Sequence, residues 1–182
     1  MLRKLAAAVL VVGLALPYGC DVRPVAVLWG GGDGPATSLF VAVPVLLVLA
    51  YALHAFVPVI ARFHERNGPA LHGLFRAVYF MLAGGLLFMS LSDEPDAWPV
   101  WGAALVATMA LLYWQQQRGT KAARLPLLLL TIVGLATVFY FGSLVDTGDL
   151  RVGGWVLTAG WLGAVVEEVR RLRGAQKVTH GG

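Results

Sequence analysis

The sequence predicts an all-α fold, namely a polytopic transmembrane helical bundle with six spans in one domain over residues 1–173. The composition is the first reason, because the chain is 58% hydrophobic and 13% charged, whereas soluble domains carry about 25% charged residues. The second reason is that apolar runs recur between short polar segments, and a helix needs about 20 such residues to cross a bilayer. The third reason is that basic residues collect at alternate ends of these runs, as expected of cytoplasmic loops.

The spans are read from the apolar runs and from the residues that interrupt them. Their approximate ranges are 2–20, 37–61, 75–91, 97–114, 125–144 and 150–167, followed by a flexible cytoplasmic tail over 174–182. The clearest pair is the hairpin over 75–114, in which an acidic turn separates two apolar runs and basic residues flank both far ends. This pattern predicts a helical hairpin with its turn outside the cell.

The first run, 2–20, allows two interpretations. Its basic start and short apolar core are typical of a secretory signal, and a cleaved signal would leave five spans. As one continuous helix it extends about 28 Å, which is enough to cross a bilayer, so we favour an uncleaved first span. Cys20 follows Gly19 and is a candidate lipidation site, although Pro17 stands where such sites usually carry leucine.

Prolines and a basic segment shape the middle of the chain. Pro44 and Pro58 each remove one backbone hydrogen bond from the span over 37–61, so kinks are expected there. The basic segment 62–76 is predicted to be a cytoplasmic loop that turns at Asn67, Gly68 and Pro69.

The second half continues the alternation of apolar and basic segments. A basic loop over 115–124 precedes the fifth span, and Pro126 is expected in the first turn of that helix, where its missing N–H costs nothing. In the sixth span, Ala159 and Gly163 predict a small-residue packing face. Glu167 and Arg171 are spaced as an i,i+4 ion pair on a helix that continues into the cytoplasm.

The charge pattern fixes the predicted orientation. All Lys and Arg residues except Arg23 and Arg151 fall on the same side of the six spans, so both termini are predicted to be cytoplasmic. The bias towards Ala, Gly, Val, Leu and Arg indicates a bacterial chain, and the predicted location is the inner membrane.

His54 is the one ionisable residue predicted to lie well inside a span, about 12 Å from its cytoplasmic end. Tyr51 and Pro58 share its helix face, and an ionisable group inside a membrane is a functional-site hypothesis by default. The simpler interpretation, which we favour, is a neutral histidine hydrogen-bonded to a neighbouring helix near a kink. It is favoured because no second histidine is expected at the same depth.

Acidic residues form two groups on the predicted outer side. They are Asp93, Glu94 and Asp96 in one turn, and Asp146 and Asp149 in another. Such oxygen ligands could attract divalent cations or line a pore mouth. Neither group has the spacing of a dedicated calcium loop, so tolerated surface acids, with Asp96 as a helix cap, are the favoured interpretation.

The sequence indicates a class of protein rather than an activity. No nucleophile–base pair, metal motif or nucleotide-binding motif is recognisable, so no cofactor and no catalytic residue is predicted. We expect a non-enzymatic structural or accessory component of a membrane complex. The alternative is a small oligomeric transporter or channel that uses the kinked second span and His54. The expected partners are the lipid bilayer, further copies of this chain or other membrane subunits, and no nucleic acid.

Overall fold

The computed structural model describes residues 1–16, 35–92, 98–117, 120–146 and 152–179. Within these ranges the chain forms six α-helices and no strand, so the predicted all-α class is confirmed. The helices are α1 (Leu2–Ala15), α2 (Pro35–Phe56), α3 (Pro58–Ser92), α4 (Trp98–Gln116), α5 (Lys121–Asp146) and α6 (Val152–Thr179).

Helix α2 ends earlier than predicted because the chain bends sharply at Val57. Between α2 and α3 the chain bends by 109° across this single residue. The amide of Val57 donates to the carbonyl of Leu53, and its own carbonyl accepts from Ala61, so it closes one helix and opens the next. Pro58 occupies the first position of α3, where a missing N–H is tolerated. The predicted kink at Pro58 is therefore a break between two helices.

The basic segment 62–76 is helical, so the predicted loop is wrong. α3 runs without interruption from Pro58 to Ser92 and contains Pro69 in its interior. The side chain of Asn67 donates to the carbonyl of Phe63 four residues earlier, a local bond that is compatible with the helix. The turn signal of Asn67, Gly68 and Pro69 is overridden because His72, in the following turn, is buried against the bundle.

Helix α5 is the centre of the bundle and packs against α2, α3, α4 and α6. Its run of leucines between Leu125 and Leu130 is almost completely buried, as is the following segment to Ala136. The helix begins at Lys121, where the hydroxyl of Thr120 accepts from the amide of Ala123. Pro126 consequently lies inside α5, one turn later than predicted.

Two glycines allow α1 and α6, the first and last helices, to pack closely. A Cβ on Gly160 would lie 2.9 Å from the backbone nitrogen of Leu10, and one on Gly13 would lie 2.9 Å from the Cα of Leu157. The predicted pair, Ala159 and Gly163, lies less centrally in the contact between α1 and α6, since Ala159 is exposed. A Cβ on Gly163 would meet Ala6 only at an ordinary 3.9 Å.

Trp161 joins α6 to the central helix. Its indole N–H donates to the carbonyl of Leu130 at 2.7 Å. The ring lies against Gly134, where any side chain would overlap it. A large aromatic ring thus fills the space that the missing side chain leaves.

No single helix in the described ranges is both long enough and apolar enough to pass as a membrane span. The segments Ala42–Phe56 and Pro58–Gly85 reach that standard as a bent pair. α6 continues to Thr179, so the segment predicted as a tail begins as helix.

Candidate functional site

Six polar side chains from α1, α2, α3 and α6 meet at one end of the bundle. We call them the Arg3–Glu168 cluster: Arg3, Tyr51, His54, His64, Glu168 and Arg171.

Glu168 lies at the centre of this cluster and is only 2% exposed. One carboxylate oxygen, Oε1, lies 2.6 Å from Arg3 Nε and accepts a 3.3 Å hydrogen bond from the hydroxyl of Tyr51. The other oxygen, Oε2, lies 3.7 Å from a guanidinium nitrogen of Arg171. Arg171 therefore pairs with the residue three positions before it rather than with the predicted Glu167.

Arg3 is held between the carboxylate and an aromatic ring. Its guanidinium carbon lies 5.7 Å from the ring centroid of Tyr51, within the range of a cation–π interaction. Its buried Nε and Nη2 atoms have no well-aligned hydrogen-bond acceptor among the described residues. Charge attraction to Glu168 and Tyr51 thus holds Arg3 in place, because a buried cation without a partner costs several kcal/mol, on the order of its desolvation penalty.

His54 and His64 contact each other across the bend between α2 and α3. Their Nδ1 atoms are 3.0 Å apart. The ring centroids lie 5.0 Å apart and the planes differ by 18°. The centroid distance exceeds the nitrogen distance by nearly the sum of two ring radii, so the two nearly parallel rings approach each other through their edges rather than face to face. This is the geometry of a hydrogen bond, in which one Nδ1 carries the proton and the other accepts it.

The cluster disfavours a positive charge on His64, which lies at its edge. Burial lowers the pKa of His64 below its ordinary value, and the positive charge of Arg3 lowers it further. Burial raises the pKa of Glu168 above its ordinary value, while Arg3 and Arg171 offset part of that rise. The histidine pair can accommodate one proton between its two Nδ1 atoms, but a second would break their hydrogen bond.

Helical periodicity places Arg3 of α1 and Glu168 of α6 at the contact between these two helices. Arg3 extends the buried face of α1 that continues through Ala7, Leu10 and Leu14 at spacings of four, three and four residues. On α6, Glu168 lies one turn after the buried Ala164. Charged residues at packing positions are the signal by which the sequence could have indicated this pair, whereas the i,i+4 spacing pointed to Glu167 and Arg171.

The sequence-predicted residues have mixed outcomes. Tyr51 and His54 are buried in the cluster, and Pro58 begins the helix that carries His64. The expectation that His54 has no second histidine near it is wrong, because the bend returns His64 to it. Lying outside the described residues are Cys20, Asp93, Glu94, Asp96 and Asp149, as well as the side chain of Asp146, the last residue of α5.

A second set of polar contacts joins α3 and α4. The hydroxyl of Thr108 donates to the carbonyl of Ala104 at 2.8 Å. The 2.8 Å contact between Thr108 and the buried Tyr79 is therefore donated by the tyrosine. Elsewhere on these helices, His72 and Gln115 are buried, and His72 Nε2 and Gln115 Oε1 make no hydrogen bond within the described residues.

Among the side chains that the structure describes, no three His, Cys, Asp or Glu residues are arranged to hold a metal ion. The cationic groups around His54 and His64 also disfavour a metal there, because they repel cations. Comparison with family models, curated proteins and solved structures produced no match.

Proposed function

We propose that this chain is a six-span integral membrane protein of the bacterial inner membrane, with both ends cytoplasmic, and a non-enzymatic structural or accessory component of a membrane complex. The filled interior of the bundle carries this proposal. Helix α5 buries Leu127, Leu128, Leu129, Leu130 and Ile132 to 0% exposure among its neighbours. Around the part of this helix whose side chains the structure describes, an apolar, close-packed centre leaves no polar path between the helices.

The exposed side chains support a membrane environment. Leu46 on α2, Met81 on α3, Val106 on α4 and Leu162 on α6 are between 52% and 76% exposed. Soluble monomers rarely present such residues on every side, whereas lipid tails solvate them without cost.

The position of the charges supports the orientation. The ion pair between Arg3 and Glu168 and the contact between His54 and His64 lie at the end of the bundle that the charge pattern predicts to be cytoplasmic. Buried charges near a helix end can reach the interface, where they cost least.

Three measurements test this proposal. Reporter fusions at Glu94 and Lys121 should report opposite sides of the membrane, and carbonate washing should leave the chain in the membrane fraction. The native mass in mild detergent should exceed that of the 19.4 kDa chain plus its detergent. A carbonate-soluble chain would overturn the membrane assignment, and a strictly monomeric species would overturn the role in a complex.

The contact between His54 and His64 favours a second candidate, a small oligomeric transporter. A shared proton at a helix break is an arrangement that proton-coupled transport could use. In proteoliposomes, an imposed proton gradient should then drive solute or ion flux that His54→Leu abolishes, while Arg66→Gln, a change on the exposed face of α3, leaves it intact. Equal flux in both variants and in empty vesicles would reject this candidate.

A further inference from the structure

A groove runs along the outer side of the contact between α1 and α6 and encloses about 370 Å³. Ala6, Ala159 and Gly163 make it deep, because small side chains at these positions leave space between the two helices. Leu5 and Val166 contribute to its walls. Its volume falls within the roughly 300–1,000 Å³ of ligand-binding sites.

The groove is long enough to hold most of an acyl chain within one leaflet of a bilayer. On α6 its apolar lining extends from Ala159 to Val166, which at 1.5 Å per residue is about 10 Å, and the charged residues follow beyond it. Half of a hydrocarbon core about 30 Å thick is about 15 Å. An acyl chain lying along the groove would therefore contact it over about two thirds of the leaflet.

Charges occur at one end of the groove alone. Glu167 and Arg170, one turn apart on α6, line its predicted cytoplasmic end, and the rest of its lining is apolar. Neither side chain makes an ion pair with another described residue. On the helix they lie about 100° from the neighbouring Glu168 and Arg171, which pair with each other in the Arg3–Glu168 cluster.

We propose that this groove binds the acyl chain of a phospholipid with an ethanolamine headgroup. The phosphate of the headgroup pairs with the guanidinium of Arg170, which presents a fork of donors suited to phosphate oxygens. The ammonium pairs with the carboxylate of Glu167. The adjacent opposite charges match a zwitterionic headgroup better than a purely anionic one. This inference rests on the proposed membrane location.

Native mass spectrometry of the purified chain with added phosphatidylethanolamine tests the proposal. Gly163→Leu fills the groove and should lower the bound fraction of one lipid at least about tenfold. Gly84→Leu is the matched control, because Gly84 is an exposed helical glycine with open space around its Cβ position, and it should leave binding unchanged. Equal loss in both variants, or no loss in either, would overturn the proposal.

A second pair of variants tests the headgroup contacts without altering the groove. Arg170→Gln should weaken phosphatidylethanolamine binding about tenfold, while Arg66→Gln, on the exposed face of α3, should not. Glu167→Gln should reduce the preference for phosphatidylethanolamine over phosphatidylglycerol. Indifference of both lipids to Arg170 would reject the headgroup contact.

The outcomes distinguish a failure of the lipid-binding proposal from a failure of the proposed membrane location. A chain that carbonate extracts from membranes would end both proposals. A membrane-embedded chain whose oligomeric mass, rather than its lipid binding, changes with Gly163→Leu would place a second protein copy in the groove and overturn the lipid proposal alone.

Discussion

The ion pair between Arg3 and Glu168 connects residues from the two ends of the chain, and its environment determines its energetic role. Both side chains are largely removed from water, at 16% and 3% exposure. In such surroundings a pair adds little net stability over an apolar contact, but removing one partner leaves a buried charge uncompensated. The pair therefore specifies how α1 and α6 align more than it strengthens their association.

A double-mutant cycle tests this role. Arg3→Met and Glu168→Gln should each lower the free energy of unfolding, Glu168→Gln by about 3 kcal/mol because Arg3 is left without its counter-charge. The double variant should recover most of that loss, since the amide oxygen introduced by Glu168→Gln can still accept the hydrogen bond from Tyr51. Thermal unfolding of the purified proteins measures all three, and losses that simply add would contradict the expected coupling.

The histidine contact predicts how stability depends on pH. His64 has a lowered pKa in the folded protein, so below about pH 6.5 the unfolded chain binds more protons and stability falls with decreasing pH. His64→Gln should make this slope shallower by less than about 1 kcal/mol per pH unit, because the residue is partly exposed. His72 also has a lowered pKa.

The measurement is denaturant or thermal unfolding between pH 5 and pH 7 for the wild type, His64→Gln and His72→Gln. Each single variant should reduce the pH dependence of the unfolding free energy by the contribution of its own histidine. The variant with both substitutions should lose both contributions. Glu168, whose raised pKa makes acid favour the folded state, contributes the opposite sign equally to all of these proteins. A slope unchanged by either substitution would be inconsistent with buried neutral histidines.

Part of the site could be predicted from the residue pattern, and part could not. Tyr51 and His54 could be predicted because polar groups within an apolar run are conspicuous. His64 could not, since its contact with His54 exists only because the chain bends by 109° at Val57. Glu168 follows directly after the last predicted span and was not predicted as a site residue; only its register on the packing face of α6 could have indicated burial.

At the scale of helices, the close contact between α1 and α6 depends on glycine at position 160. Gly160→Ala should lower the free energy of unfolding by about 1–2 kcal/mol relative to Gly163→Ala, because the new methyl group would press on the backbone of Leu10. Gly163→Ala gains helix propensity and meets Ala6 at an ordinary distance, so it should be neutral or stabilising. Equal stability of the two variants would show that α1 and α6 separate readily.

Helix boundaries were harder to predict than helices. Every predicted span contains a helix, because apolar runs of this length form helices when they are buried. The segment 62–76 was predicted to be a loop from Asn67, Gly68 and Pro69, but local turn signals are weak against packing of the same segment. His72 and Tyr79, buried two turns apart on α3, show the contacts that extend this helix.

At the scale of the molecule, α1 forms part of the packed core. Ala7 and Leu10 are fully buried, and Arg3 forms an ion pair with α6. We therefore predict that the mature chain retains residues 1–16, as an intact-mass measurement of the purified protein would show. A product beginning near Cys20 would instead identify the first run as a cleaved signal and leave Glu168 without its counter-ion.

The composition and charge pattern predicted the all-α class, because both properties are averaged over many residues and do not depend on any single contact. The order in which the helices pack was not predictable, since several apolar faces could pair equally well. The central position of α5 follows from its apolar surface on all sides. Which helices surround it is determined by particular contacts, such as Trp161 against Gly134.

The pairing of α1 with α6 also has a consequence for biosynthesis. A ribosome adding roughly 5–20 residues per second would deliver Glu168 roughly 10–30 s after Arg3. During that interval the guanidinium lacks the carboxylate of Glu168, and α1 can pack against α2 but not against α6. Nascent chains halted before α6 should therefore be degraded quickly, because the arrival of α6 completes the contacts of α1.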